Sequence, residues 1–380
     1  MRVQIVDPSA FTPPYDHALA ASLALAGAEV ELFTSAFAYG PVPDADGYAV
    51  RELFYRHARG APGSSLRRAT KLIEHVPDML RYRRAARAAD VVHFQWLTVQ
   101  WLDALLLPQR PIVLTAHDLL PREPRSGQAR AQRRCYGAVD ALVVHTDYGR
   151  RHLLEALELD PAKVHVIHHG AFDYLTRLPR QQPLPDELAR VTGPVVLFFG
   201  LLRPYKGIEV LLEAWRGVHD AELWIVGRPR MPLDSLLSLA PARVRFVARF
   251  VADAEIPAYF SRADVVVLPY SRTERFDFSG VLSTALAFGK PVVLTDVGGF
   301  AEVAATGAAR LVPPDDPAAL RDALRDLIED PDVRRRLAAA ARAAAAGPYS
   351  WDEAARRTLA VYRALLLESD GTSETHHPNT

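Results

Sequence analysis

Along the chain, short unbroken runs of Val, Ile, Leu and Phe alternate with longer stretches of helical character. The runs are RVQIVD (2–7), VELFTS (30–35), VVHFQW (91–96), PIVLTAHD (111–118), ALVVHT (141–146) and VHVIHH (164–169). A second series follows: VVLFFG (195–200), ELWIVG (222–227), VRFVARF (244–250), VVVLPY (265–270), PVVLTD (291–296) and ARLVPP (309–314). Runs without polar alternation predict parallel strands covered on both faces. Their alternation with helices predicts βαβ units wound into two α/β sheets.

Between the series lies FDYLTRLPRQQPLPDELARVTGP (172–194), whose Pro-rich, polar start suits a linker. The expected organisation is a Rossmann-like domain over 1–171, a linker over 172–193 and a second Rossmann-like domain over 194–350. Ser350 then opens a final helix over 351–367, and ESDGTSETHHPNT (368–380) has the composition of a disordered tail. Two facing doubly wound sheets place a ligand in a cleft at the carboxyl ends of the strands. Chemistry is therefore sought in the loops that follow strands.

Composition narrows the classes. With 380 residues, 49% of them apolar, the chain can bury two cores. Charge is balanced at 45 basic against 45 acidic residues, which gives no reason to expect nucleic acid as a partner. One stretch departs from balance: Arg51 to Arg87 holds ten Lys/Arg against three acids. It is either a solvated helical face or a surface for an anionic acceptor or lipid headgroups, which would mean peripheral membrane contact. A single cysteine, Cys135, excludes an intrachain disulfide and a Cys-rich metal site and favours a reducing compartment. The N-terminus lacks a signal-peptide core, and no run approaches a membrane span. The expectation is a cytoplasmic protein, at most touching the inner membrane face.

The strongest chemical candidates follow strands of the second series. After 195–200, Arg203 and Lys206 stand in GLLRPYKG just before a helix expected near Ile208. Two cations beside a positive helix N-terminus suit a diphosphate without a metal. Lys206, between Pro204 and Gly207, is expected to be exposed. In the segment FSGVLSTALAFGKP, Ser279 resembles an N-cap, and the amides of Gly280, Val281 and Leu282 would cradle an anion. Gly298 and Gly299 offer further amides after another strand, with Glu302 on the next helix. In the first half, His117 and Asp118 end a strand in TAHD, where a His could hydrogen-bond a sugar. His165, His168 and His169 lack Cys or acidic partners, so a metal there is not expected. No dinucleotide fingerprint, P-loop or nucleophile elbow is present.

Together these segments resemble the large family of retaining nucleotide-sugar glycosyltransferases with the GT-B fold, family four. The pieces that carry the resemblance are FFGLLRPYKGIEVLLEA, ADVVVLPY, SGVLSTALAFGKPVVLTDVGGFAEV and the SW before the last helix. The resemblance implies that Arg203 and Lys206 hold the donor diphosphate, that His117 contacts the donor sugar and that the last helix crosses back to the first domain. The family's two glutamates, eight positions apart, fall here on Phe276 and Thr284, and neither is a carboxylate. Thr284 could make only a single, weaker hydrogen bond to ribose; Glu274 and Asp277 stand near enough to supply an acid. The Gly-Gly usual after the first strand is replaced by Pro13-Pro14-Tyr15-Asp16-His17, which places Tyr15, Asp16 and His17 with Asp118 on the acceptor side.

The implied activity is a metal-independent, cofactor-free, retaining transfer from a nucleotide-diphosphate sugar to a sugar, lipid-linked or small-molecule acceptor, as in polysaccharide or glycoconjugate biosynthesis. Two other readings remain open: a degenerate transferase acting as a binding subunit, and a sugar-nucleotide epimerase, which would need acids in the cleft.

Overall fold

The computed structural model describes residues 1–120, 127–273 and 277–374. The chain divides into two compact units, Met1–His168 with Trp351–Thr380, and His169–Ser350.

The first unit contains β1 (Arg2–Asp7), α1 (Pro13–Leu25), β2 (Glu29–Thr34), β3 (Ala49–Glu52), α2 (Ser65–Ala85) and β4 (Val91–Phe94). It continues with α3 (Gln100–Leu106), β5 (Ile112–Thr115), α4 (Gln128–Gly137), β6 (Ala141–Val144), α5 (Asp147–Leu157) and β7 (Val164–Val166). Its strands form one parallel sheet in the order β3-β2-β1-β4-β5-β6-β7. The central strands are buried on both faces, as the continuous apolar runs require. Edge strand β3, AVRE, is half-exposed and carries two charges, so no apolar run announced it.

The second unit contains α6 (Asp186–Ala189), β8 (Val195–Phe199), α7 (Ile208–Trp215), β9 (Glu222–Val226), α8 (Asp234–Leu239), β10 (Val244–Val247) and α9 (Ile256–Arg262). There follow β11 (Val265–Leu268), α10 (Gly280–Ala287), β12 (Val292–Thr295), α11 (Phe300–Ala304), β13 (Ala309–Val312), α12 (Pro317–Glu329) and α13 (Pro331–Ala346). Its parallel sheet has the order β10-β9-β8-β11-β12-β13. Alternate residues feed two cores: Val195, Leu197, Val266 and Leu268 one face, Val196, Phe198, Val265 and Val267 the other. Both domains are thus doubly wound parallel α/β layers. The strand order reverses between β1 and β4 in one sheet and between β8 and β11 in the other, which marks the crevices where such folds bind ligands.

Two expected boundaries change. Residues 172–193 are built into the second unit, because Leu175 and Leu188 are buried and the Phe172 ring meets His169 edge-on. The last helix, α14 (Trp351–Glu374), runs past the expected start of the tail at 368; residues 375–380 lie outside the described residues. α14 belongs to the first unit, where the Tyr362 hydroxyl lies 2.6 Å from His93 Nδ1 and Trp351 packs edge-on against Tyr15. Burial pushes His93 down to about 3, so the ring is neutral and bridges Tyr362 to Thr115 Oγ1, 2.8 Å away.

At the reversal in the second sheet the loops after β8 and β11 meet at a glycine. Gly207 has φ +68°, and a Cβ there would stand 1.7 Å from the Pro269 carbonyl oxygen. Gly207→Ala should therefore cost about 2 kcal/mol or more and lower the thermal midpoint by several degrees. Gly137→Ala, where a Cβ meets nothing within 4 Å, should stay within about 0.5 kcal/mol of wild type. Parallel thermal melts of the two variants check this.

Candidate functional site

The loop after β8 begins at Gly200, whose φ of +114° turns the chain off the strand. Arg203 is extended, Pro204–Lys206 make one 3-10 turn, and Gly207 closes it in the left-handed region before α7. The Tyr205 carbonyl accepts from the Ser271 amide at 2.9 Å, joining this loop to the one after β11. Lys206 was expected to be exposed but is only 6% accessible. Its ammonium donates to the Tyr270 hydroxyl and lies 3.9 Å from that ring's centroid. The Tyr270 hydroxyl in turn lies 2.9 Å from Ser279 Oγ. The turn brings the cation inward because the two loops pack backbone against backbone. Arg203 is half-buried, and its Nε is buried with no hydrogen-bond partner among the described residues. A buried orphan donor is costly unless something accepts from it.

Ser279 occupies the N-cap position of α10, but its side chain does not cap; it faces Tyr270 instead. The Leu282 amide, expected free, donates to the Ser279 carbonyl at 2.9 Å, which reduces the expected cradle to Gly280 and Val281. The Thr284 hydroxyl donates back to the Gly280 carbonyl at 2.9 Å, so its proton is committed within the helix. Asp277 is 1% accessible and its carbonyl accepts from the Gly299 amide at 3.0 Å. Gly298 (φ +57°) and Gly299 lead into α11, where Glu302 is half-buried. Glu274 and Phe276 lie outside the described residues. Arg203, Lys206, Ser279 and Gly280 are thus gathered at the carboxyl ends of β8 and β11.

In the first unit, His117 and Asp118 line a cavity of about 780 Å³ with Phe11, Trp96, Trp101 and Tyr136. His117 is held on several sides. Trp96 stacks on it at 5.1 Å between centroids, Tyr15 meets it edge-on at 4.7 Å, and His145 Nε2 lies 3.2 Å from its Nδ1. Burial pushes His145 down to about 4, so it is neutral. Its Nδ1–H donates to the Ile167 carbonyl at 3.1 Å, so Nε2 accepts and His117 carries its proton on Nδ1. His117 Nε2 then presents a lone pair beside Gln95, 3.1 Å away. Among the described residues the Gln95 amide nitrogen has no partner, and with the amide turned about its Cγ–Cδ bond it would donate to that lone pair.

The other acceptor-side candidates are not in that cavity wall. Tyr15 is buried beneath His117. His17 Nδ1 lies 2.6 Å from the Tyr48 hydroxyl, and burial pushes it down to about 4. Asp16 is buried against Asp7, which accepts from the Ser9, Phe11 and Thr12 amides and so shapes the loop after β1. Trp96, Trp101, Gln95, His145 and Tyr270 were not singled out from the sequence. The available signal was position: Gln95, Trp96, His145 and Tyr270 all directly follow strands. His168 contacts the His145 carbonyl at 3.0 Å, and His169 Nδ1 lies 2.9 Å from Ser283 Oγ. Among the described residues no group of His, Cys, Asp and Glu could hold a metal.

Burial raises Asp7 and Asp16, and the charge of Asp7 raises Asp16 further. The folded pair keeps a proton that the unfolded chain releases above about pH 4, so this pair's contribution to stability falls as pH rises. Asp16→Asn supplies a permanent N–H donor in place of that proton. Its thermal midpoint should exceed the wild type's at pH 8, with the gap closing towards pH 4. A gap independent of pH would contradict the shared proton.

Comparison with known proteins gives a consistent picture. Residues 193–330 match the family model described as Glycosyl transferases group 1, and residues 15–171 match Glycosyltransferase Family 4. The D-inositol 3-phosphate glycosyltransferase of Kineococcus radiotolerans is 32% identical, covering 92% of this chain and 89% of its own length. The alpha-maltose-1-phosphate synthase of Mycolicibacterium smegmatis is 31% identical over 80% of this chain and 86% of its own. Among solved structures, sucrose-phosphate synthase from Thermosynechococcus elongatus has a TM-score of 0.73 at 20% identity, covering 97% of this chain and 100% of its own. Anabaena Alr3699/HepE in complex with UDP and glucose has a TM-score of 0.71 at 19% identity, covering 96% and 100%. At these identities the structural likeness establishes the GT-B fold alone.

Proposed function

We propose that this chain, which belongs to the group 1, family 4 glycosyltransferases, transfers a sugar with retention and without a metal from a nucleotide-diphosphate sugar to an acceptor hydroxyl. The observation that carries the donor half is the orphan Arg203 Nε beside the buried Lys206, where β8 and β11 diverge. A diphosphate accepts from both cations, and the amides of Gly280 and Val281 lie on the following helix start. The relative solved with UDP and glucose supports a nucleotide-sugar donor. The aromatic-walled cavity of the first unit takes a sugar ring or another cyclic acceptor, with His117 in its wall, held by Gln95 and His145.

In the reaction, the acceptor oxygen bonds to the anomeric carbon as that carbon's bond to the β-phosphate oxygen breaks. Both events occur on one face, and the acceptor proton passes to the departing phosphate oxygen. The protein supplies position and charge, through Arg203 and Lys206, rather than a dedicated base. Polysaccharide or glycoconjugate synthesis in the cytoplasm, with peripheral membrane contact through 51–87, completes the reading.

Because Lys206 is buried, Lys206→Ala should cost about 1–3 kcal/mol of stability, more than a surface change would. Lys206→Met keeps the aliphatic stem and isolates the charge. It should lower kcat by about 10²–10³-fold with a smaller change in thermal midpoint. Turnover should survive EDTA, and NMR of the product should show the donor's anomeric configuration. Inversion, or loss of activity in EDTA, would overturn the mechanism. Nucleotide binding without turnover would favour the binding-subunit reading.

A further inference from the structure

A second cavity in the first unit, about 420 Å³, is lined by Leu80, Arg83, Arg84, Arg87, Gln109 and Arg110 among others. It lies where α2 ends and where the chain enters β4 and β5, at the amino ends of those strands. The His117 cavity lies at their carboxyl ends. Arg110 donates to the Arg87 carbonyl at 2.5 Å. Among the described residues no carboxylate pairs with any of the four arginines, whereas nearby Arg81 is tied to Asp78 at 2.6 Å. Cations at the carboxyl end of a helix offset its dipole, which accounts for Arg83 and Arg84 in part. It does not account for Arg110, which arrives from another segment to face them.

The helix leading into this cavity has an unusual outer face. α2 buries His75, Asp78, Met79 and Tyr82 on one side. On the opposite side, Leu66, Ile73 and Leu80 are 57%, 75% and 42% accessible. At about 100° per residue, positions 66, 69, 73, 77, 80 and 84 fall within roughly an 80° arc. The apolar stripe therefore ends in Arg84 and the arginine cavity, with Leu80 belonging to both. An exposed apolar stripe continuous with unpaired cations is the pattern of a helix lying in a membrane interface, with its leucines among acyl chains and its arginines on headgroup phosphates.

We infer that α2 and the Arg83–Arg84–Arg87–Arg110 cavity form a docking surface for a bilayer rich in anionic lipid. The occupant is chosen by charge complementarity: four cations and no carboxylate, beside side chains that gain by leaving water. This narrows the peripheral contact proposed above to named residues. It is testable without turnover, so its failure would leave the transferase reading standing.

The test is co-sedimentation of the full chain with vesicles of phosphatidylcholine alone or mixed with phosphatidylglycerol. The chain should sediment with the mixed vesicles and remain in the supernatant with phosphatidylcholine alone. Arg84→Gln combined with Arg87→Gln and Arg110→Gln should reduce vesicle partitioning about tenfold or more. Ile73→Ser with Leu80→Ser should reduce it as well, leaving a remainder that high salt removes. Thermal midpoints and transfer to a water-soluble acceptor should be unchanged in both variants. Equal uptake by both vesicle types, or unaltered uptake by the arginine variant, would overturn the proposal. So would calorimetric binding of glycerol phosphate without vesicle uptake, which would make the cavity a site for a soluble anion.

Discussion

The close approach of two backbones at the divergence of β8 and β11 governs the candidate donor site. Gly207 lies against the Pro269 carbonyl so tightly that no side chain fits. The Ser271 amide bonds the Tyr205 carbonyl across the same gap. With those loops clamped, Lys206 points inward, onto Tyr270 and through it to Ser279. Gly227 repeats the device next door, where a Cβ would stand 1.8 Å from the Gly200 carbonyl oxygen. The glycines thus hold a charged side chain inside the candidate donor site.

The first unit uses buried hydrogen bonds for the same purpose. Neutral His145, anchored on the Ile167 carbonyl, sets the tautomer of His117. Neutral His93 ties β4 to the last helix through Tyr362 and to β5 through Thr115. After β1, where this sequence lacks the Gly-Gly usual in the family it resembles, the Asp7 carboxylate gathers three backbone amides and Asp16 braces it. A side chain there does by hydrogen bonding what glycine does by conformational freedom.

Strands and domain class were legible because a strand covered on both faces must be apolar throughout, and such short runs recur here between longer stretches of helical character. β3 escaped because an edge strand does not. The grouping of Arg203, Lys206, Ser279 and Gly280 was legible from their positions after strands. The burial of Lys206 was not, since it depends on Pro269, some sixty positions away in the chain. Ser279 is engaged by Tyr270, nine positions earlier, rather than by its own helix, a choice that the N-cap pattern does not express. The aromatic cavity was missed because Trp96 and Trp101 resemble ordinary apolar residues until the fold leaves Trp101 exposed beside them.

The central claim is that Arg203 and Lys206 hold a diphosphate. Calorimetry in EDTA, comparing a nucleoside diphosphate with the same nucleoside, addresses it directly, with UDP, GDP and ADP tried in turn. One diphosphate should bind and its nucleoside should bind far more weakly, with Arg203→Gln reducing the difference. Equal affinity for nucleoside and diphosphate, or an Arg203→Gln variant that binds as wild type does, would contradict the account.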